Sequence, residues 1–194
     1  YLRNRLMDSS FNLFPTLVLS CPQFISEEER IKIFGDLKNR NAVSHGAVMG
    51  GKSSHALENN IIFSLGLEEK IQQKLNDYNA KVGIGDVKIQ ASWFNMQDQG
   101  SLLQQHCHAG SLLSAALYIN VDGDSSSLTF ENPNPNVDSI WASCREDGTD
   151  YNYTYYEFIP KNGDLYIFPS WLRHGSYYKP NYTIDRTVIS LNAC

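Results

Sequence analysis

The sequence predicts an α+β fold: a β-barrel or sandwich with helices packed against one outer face. Two observations point there. Apolar residues recur at helical spacing early in the chain, and from about residue 87 the pattern switches to alternation with period two. At least six strand-like runs follow with no helical pattern between them, the order of an antiparallel sheet with helices to one side. The 194 residues suit one domain with a real core, a helical part over about 1–86 and a barrel over about 87–194.

The elements follow in order. Leu13 to Ser20 (LFPTLVLS) reads as a first strand. Ser26 followed by Glu27, Glu28 and Glu29 is a capping box, with the serine as N-cap and a glutamate at the third helical position. Ile31, Phe34 and Leu37 continue at helical spacing, so a helix is predicted over about 27–40, its acidic first turn suited to the helix dipole. Residues 41–60 are rich in Gly and Ser and read as a loop, with His45 and His55 as ordinary loop residues. A second helix carries Leu67, Ile71, Leu75 and Tyr78 on one stripe and ends in the turn chemistry of Lys81-Val-Gly-Ile-Gly-Asp86.

Strand patterns occupy the rest. Residues 88–97 alternate, with Ile89, Ala91, Trp93 and Asn95 on one face. Over Ser111–Val121, Leu113, Ala115, Leu117 and Ile119 form an oily face, and Ser114, Ala116, Tyr118 and Asn120 a smaller, more polar one. Ser127–Glu131, Tyr153–Ile159, Asp164–Phe168 and Arg186–Asn192 read as further strands. Residues 132–152 are a polar, turn-rich excursion, either a lid over a barrel mouth or a surface insertion.

Charge and composition narrow the function classes. The net charge is −5 and no block of like charges occurs, which disfavours nucleic-acid and anionic-membrane binding. No apolar run is long enough for a membrane span, and no signal peptide is visible, so a cytoplasmic protein is expected. Cys21, Cys107, Cys144 and Cys194 lie far apart and read as reduced thiols, Cys107 as a small buried residue turned away from its neighbours. Asn152-Tyr-Thr and Asn181-Tyr-Thr match the glycosylation pattern by chance in this reading.

The chemistry concentrates in two histidine clusters. The first is Gln104-Gln105-His106-Cys107-His108-Ala109-Gly110, and the second is Phe168-Pro169-Ser170-Trp171-Leu172-Arg173-His174. Residues two apart on a strand point the same way, roughly 7 Å apart. His106 and His108 can therefore share one metal, with His174 arriving from a separate strand whose ladder Pro169 ends. Three imidazoles on one face leave sites open for substrate, cosubstrate and oxygen, an arrangement suited to non-haem Fe(II). Arg186 opens the last strand on a face shared with Val188, Ser190 and Asn192. Buried there it needs an anion, either a dicarboxylate cosubstrate or an internal partner such as Asp164 or Asp185.

With these motifs assembled, the stretch from Trp93 to Asn192 resembles the Fe(II)/2-oxoglutarate-dependent oxygenases, in particular a bacterial and phage group with an H-x-H core. That core reads His106-Cys-His108-Ala-Gly-Ser-Leu-Leu-Ser114-Ala-Ala-Leu-Tyr118, followed by Phe130-Glu-Asn-Pro133, Gly163 to His174, and Arg186 to Asn192. The resemblance implies a double-stranded β-helix, the jelly-roll barrel shared with cupins. It implies Fe(II) on His106, His108 and His174, O2 as co-reactant, and Arg186 on the far carboxylate of 2-oxoglutarate with help from Tyr118 and Ser190. Trp93 and Asn95 either line the pocket or pack the core. The chain departs from the superfamily at His108, where Asp or Glu is usual, and at Val188, where Ser or Thr is common. Either three imidazoles bind the iron, or His108 turns away and Glu131 or Asp98 completes the set. The expected activity is hydroxylation of an unidentified small-molecule or peptide substrate with release of succinate and CO2. A cupin-type three-histidine dioxygenase and a non-catalytic jelly-roll binding module are the alternatives.

Overall fold

The computed structural model describes residues 10, 12–176 and 179–194, so part of the predicted helical N-terminal region (1–9 and 11) lies outside the described residues. The chain forms strand β1 (Leu19–Cys21), helix α1 (Glu27–Leu37), strands β2 (Val43–His45) and β3 (Val48–Ser53), helix α2 (Ile61–Ser64) and helix α3 (Glu68–Val82). Seven strands follow: β4 (Ile89–Leu103), β5 (Leu113–Asn120), β6 (Leu128–Glu131), β7 (Tyr155–Phe158), β8 (Leu165–Pro169), β9 (His174–Gly175) and β10 (Arg186–Ala193). They pair into a seven-stranded sheet ordered β1-β8-β5-β10-β4-β3-β2 and a three-stranded sheet ordered β7-β6-β9. This is the predicted α+β jelly-roll, a double-stranded β-helix with helices on one outer face.

The two faces of the large sheet do different work. Leu113, Ala115, Leu117 and Ile119 of β5 and Ile189 and Leu191 of β10 pack against Ile33 and Leu37 of α1 and Ile71, Leu75 and Tyr78 of α3. Burying side chains of this kind contributes on the order of 1.5–3 kcal/mol each, so this layer anchors the sheet. The opposite face carries Ala116, Tyr118 and Val188, which meet Leu128 and Phe130 of the small sheet. Strand alternation thus assigns one side of each strand to the core and the other to the barrel interior.

The helix ends follow from local chemistry. The Ser26 side chain accepts from the Glu29 N–H at 3.2 Å and Glu29 accepts from the Ser26 N–H at 2.9 Å, completing the capping box. Helix α1 is shorter than expected, closing at Leu37 with Lys38 as its cap. Helix α3 ends at Gly83, whose left-handed φ of 71° suits glycine. The first strand is likewise shorter and later than expected, only Leu19–Cys21.

Residues 41–60 correct the loop reading. They contain the β2–β3 hairpin, which extends the large sheet beyond β4 through Gly51↔Gln97 and Ser53↔Asn95. Gly51 is there for close approach: a Cβ would lie 2.6 Å from the Met96 carbonyl oxygen. Other expectations also need correcting. Cys107 is exposed rather than buried, while all four cysteines are free. Asn181 of the second glycosylation match is fully buried, with its amide on the carbonyls of Asp98 and Thr183. Residues 132–152 form short helical turns over Val137–Cys144, and none of their described side chains lines the barrel interior. Among the described residues, no helix is long and apolar enough to cross a membrane.

Candidate metal and anion site

The barrel interior holds a cavity of about 220 Å³ whose walls are the inward rows of the central strands. β10 supplies Arg186, Val188 and Ser190, β5 supplies Ser114, Ala116 and Tyr118, and β4 supplies Trp93, Asn95 and Gln97. Cross-strand register sets them side by side: Arg186 opposite Gln97, and Val188 between Asn95 and Tyr118. Trp93 and Asn95 therefore line the cavity.

Three imidazoles converge at one end. The possible ligand atoms of His106, His108 and His174 all lie within 4.8 Å of one another, close enough to share one ion. His106 does not sit on a continuous strand as expected. It lies beyond β4 and pairs with His174 through an isolated antiparallel bridge, with N–H to carbonyl distances of 3.0 and 2.9 Å. The His108 N–H is held by the Ser170 carbonyl at 2.9 Å. Gly175, beside His174, makes this approach possible: a Cβ there would stand 2.8 Å from the carbonyl oxygens of Leu103 and Gln104.

Backbone carbonyls orient two of the rings. Nδ1 of His106 lies 2.8 Å from the Gln104 carbonyl oxygen, and Nδ1 of His174 lies 2.8 Å from that of Leu172. In the neutral rings Nδ1–H donates to these carbonyls, which leaves Nε2 with a free lone pair for a metal. Burial favours the neutral form throughout: it lowers the pKa of His106, brings His108 down to about 4 and His174 to about 3, with neighbouring imidazoles adding to the effect. The alternative carboxylates stay out of this cluster. Glu131 accepts from Nε of Arg173 at 2.8 Å, and Asp98 is exposed outside the cavity lining.

His108 is oriented differently. Its Nδ1 stands 3.3 Å from the Asn192 side-chain amide nitrogen, while Asn192 Oδ1 accepts from Ser114 at 2.9 Å and Ser114 meets Ser170 at 2.8 Å. Turning the Asn192 amide over exchanges its oxygen and nitrogen without moving the chain. His108 then donates Nδ1–H to Asn192, which donates onward to Ser114, and Nε2 is freed as in the other two rings. Asn192→Leu is expected to weaken metal binding about 10–100-fold, the scale of losing a partner that orients a ligand, with Asn192→Asp retaining it. Metal titration of the folded variants checks this.

A pH effect follows from the same burial. His174 titrates near 6.5 when unfolded and near 3 in the metal-free fold. Below pH 6.5 the unfolded chain takes up a proton that the folded site refuses, so stability falls as the pH drops through this window and is unaffected above it. Thermal melts of metal-free protein should show a lower Tm at pH 5 than at pH 7.5. His174→Phe, placed between Phe130 and Phe168, should reduce the difference, the remainder belonging to the buried rings of His106 and His108.

Arg186 stands at the other end of the cavity, 4% exposed. It hydrogen-bonds Oε1 of Gln97 and the Ser126 carbonyl, the latter at 3.2 Å, and lies 5.4 Å over the Tyr118 ring. Its Nε has no partner among the described residues. None of the described carboxylates pairs with it. Asp164 is occupied by the N–H groups of Gln23 and Lys161, and Asp185 by Lys38. Burial lowers the Arg186 pKa and raises that of Tyr118 to about 12, so the pair remains a guanidinium and a neutral phenol. A cation this buried without a counter-charge is costly, and it marks a place for an anion. Ser190 does not accept from Arg186; it accepts from the Asn95 amide at 3.2 Å, and Asn95 Oδ1 has no partner among the described residues.

His45 and His55 were not expected near this site. Both line the cavity, so all five histidines of the chain border one space. No sequence signal marked them, because the hairpin that carries them reads as loop.

Comparison with known proteins agrees with this geometry. A family model described as "Putative 2OG-Fe(II) oxygenase" matches residues 91–192, just over half the chain. No curated protein sequence matches. Among solved structures, HygX from Streptomyces hygroscopicus with nickel and 2-oxoglutarate bound superposes at a TM-score of 0.63 and 14% identity, covering 92% of this chain and 82% of that one. A Pseudomonas putida prolyl-4-hydroxylase gives 0.58 at 15% identity, over 92% and 91% of the two chains. A viral collagen prolyl hydroxylase from Paramecium Bursaria Chlorella virus-1, in complex with 2-oxoglutarate, gives 0.59 at 12% identity, over 91% and 94%.

Proposed function

The chain belongs to the 2OG-Fe(II) oxygenase family, and on that premise we propose that it is a dioxygenase that couples conversion of 2-oxoglutarate to succinate and CO2 to hydroxylation of a second substrate. The observation that carries this reading is one cavity holding both three convergent imidazoles and a buried, uncompensated guanidinium. The donor set fits a ferrous ion with open positions. The orphaned Arg186 Nε fits a carboxylate. At about 220 Å³ the cavity is smaller than the roughly 300 Å³ at which drug-sized pockets begin, so it suits a compact diacid rather than a larger cosubstrate. Solved relatives carry nickel and 2-oxoglutarate together, which supports the same pairing here.

In this reading His106, His108 and His174 hold the iron. Bound there with 2-oxoglutarate, the iron supplies the activation of O2 and the oxidising power for a substrate C–H bond. The chain's own residues do the rest. Arg186 grips the distal carboxylate, with Gln97 and Tyr118 fixing the guanidinium in place. Ser190 and Asn95 offer further polar contacts along the cosubstrate. Phe168, Leu128 and Val188 exclude water around them. A cupin-type dioxygenase that ignores 2-oxoglutarate would leave Arg186 unexplained, as would a binding module without a cosubstrate.

The test is succinate formation from 2-oxoglutarate in the presence and absence of Fe(II) and O2. The reading requires dependence on both. Failure of 2-oxoglutarate to bind the metal-loaded protein, or turnover indifferent to it, would remove the reading.

A further inference from the structure

We propose that the cavity mouth walled by His45, His55 and Trp93 binds the primary substrate, and that this substrate is an organic anion. The inference rests on the function proposed above and extends it to the chemistry of the second reactant.

The hairpin is built to bring these rings to the site. Ser54 clamps it to β4, its N–H on the Phe94 carbonyl at 2.9 Å and its hydroxyl accepting from the Phe94 N–H at 3.1 Å. His55 therefore arrives edge-on to Trp93, with ring centroids 4.7 Å apart, and His45 lies 5.7 Å from His55. Trp93 continues inward to His108 at 5.9 Å. The rings form an unbroken path from the surface to the metal cluster. Trp93 is 7% exposed while His55 is open to solvent, so the imidazoles form the outer end.

These imidazoles carry unused donors. Nδ1 of His45 accepts from the Ala47 N–H at 3.3 Å, which places its proton on Nε2. Among the described residues nothing hydrogen-bonds the His55 ring. Two N–H donors therefore stand beside an apolar indole, a surface matched to an acceptor group on an otherwise apolar molecule.

Charge decides the kind of acceptor. Among the described residues no carboxylate lines the cavity, although the chain as a whole is acidic at −5. Two acids lie on the hairpin side, and each stands with a cation: Asp98 shares with His45 a surface groove that also contains Lys52, and Glu58 pairs with Arg40 at 2.6 Å. A divalent ion and the Arg186 guanidinium bring three positive charges, against two on the 2-oxoglutarate dianion and none on the buried rings of His106, His108 and His174. One positive charge is left over in a poorly solvated space, where an uncompensated charge is costly. A substrate anion neutralises it, and His45 and His55 are placed to hold that anion beside the metal.

The test uses protein loaded with Ni(II) and 2-oxoglutarate, so that binding is measured without turnover. Calorimetry compares three acid–amide pairs of increasing size: acetate, phenylacetate and 4-phenylbutyrate, each against its neutral amide. At least one acid should bind about ten-fold or more tightly than its amide, the scale of one charge-assisted hydrogen bond. His45→Phe and His55→Leu should each remove most of that preference while leaving 2-oxoglutarate affinity unchanged, which also reports an intact fold. Acids binding no better than their amides across the panel, or a preference indifferent to both histidines, would overturn the inference. Failure of the parent reading shows separately, as absence of 2-oxoglutarate binding in the first titration.

Discussion

His174→Ala is expected to abolish metal-dependent turnover and to lower metal affinity by more than ~100-fold, beyond the upper end of what losing a ligand-orienting neighbour costs. The reasoning starts from geometry. His174 is the most buried of the three imidazoles, its backbone is bridged to His106, and its ring stacks at 5.2 Å on His108. Removing it takes one donor of three and opens space beside Phe168, whose ring lies 4.5 Å away. His174→Gln keeps more of the volume and still loses the imidazole, so it separates a lost ligand from a loosened core. Calorimetric metal titration with circular dichroism on both variants checks the expectation. Wild-type affinity in either folded variant would contradict it.

Arg186→Met is expected to leave metal binding intact and to weaken 2-oxoglutarate binding by ~30-fold to several thousand-fold, the 2–5 kcal/mol that truncating one partner of a buried charge pair costs. Two readouts follow. In wild type, 2-oxoglutarate should raise the Tm of metal-loaded protein, because a ligand that binds only the folded state stabilises it. In Arg186→Met that rise should vanish while the metal-induced rise remains. Arg186→Lys should recover only part of the affinity, since an ammonium cannot reproduce the planar fork between Gln97, Ser126 and a carboxylate. An unchanged 2-oxoglutarate response in Arg186→Met would show that Arg186 does not hold the cosubstrate.

Much of this architecture was legible where one force dominates. The alternation of Leu113, Ala115, Leu117 and Ile119 against Ser114, Ala116 and Tyr118 separated the helix-facing core from the cavity wall, because a strand has only two faces. The capping box of α1 and the apolar stripe of α3 were equally readable, being local patterns with a direct physical cause. The proximity of His106, His108 and His174 was expected from spacing, although their support was not. His106 is held by a two-bond bridge to His174 and His108 by one backbone bond to Ser170, rather than by a continuous strand.

What stayed hidden depends on long-range contact. The β2–β3 hairpin has few apolar residues and several glycines, and it is stabilised by backbone pairing to β4 rather than by an alternating pattern. Composition therefore read as loop, and His45 and His55 were set aside with it. The two-residue strand β9 is too short to carry any period, and its position depends on Gly175 fitting against Leu103 and Gln104. The contact from Asn192 to His108 joins residues 84 apart in sequence, and it depends on β10 lying beside β5 with Asn192 opposite Ser114. Cys107 was expected to be buried because cysteine usually is. Lying between two inward-facing histidines, it points outward to solvent.

The central claim concerns which side chains surround the metal, and diffraction from crystals grown anaerobically with Fe(II) and 2-oxoglutarate tests it directly. Anomalous scattering should place a single iron about 2 Å from a nitrogen of each of His106, His108 and His174, with the distal carboxylate of the diacid on Arg186. Iron bound instead by Glu131 or Asp98 in place of His108, or a diacid lying away from the Arg186 guanidinium, would contradict the account.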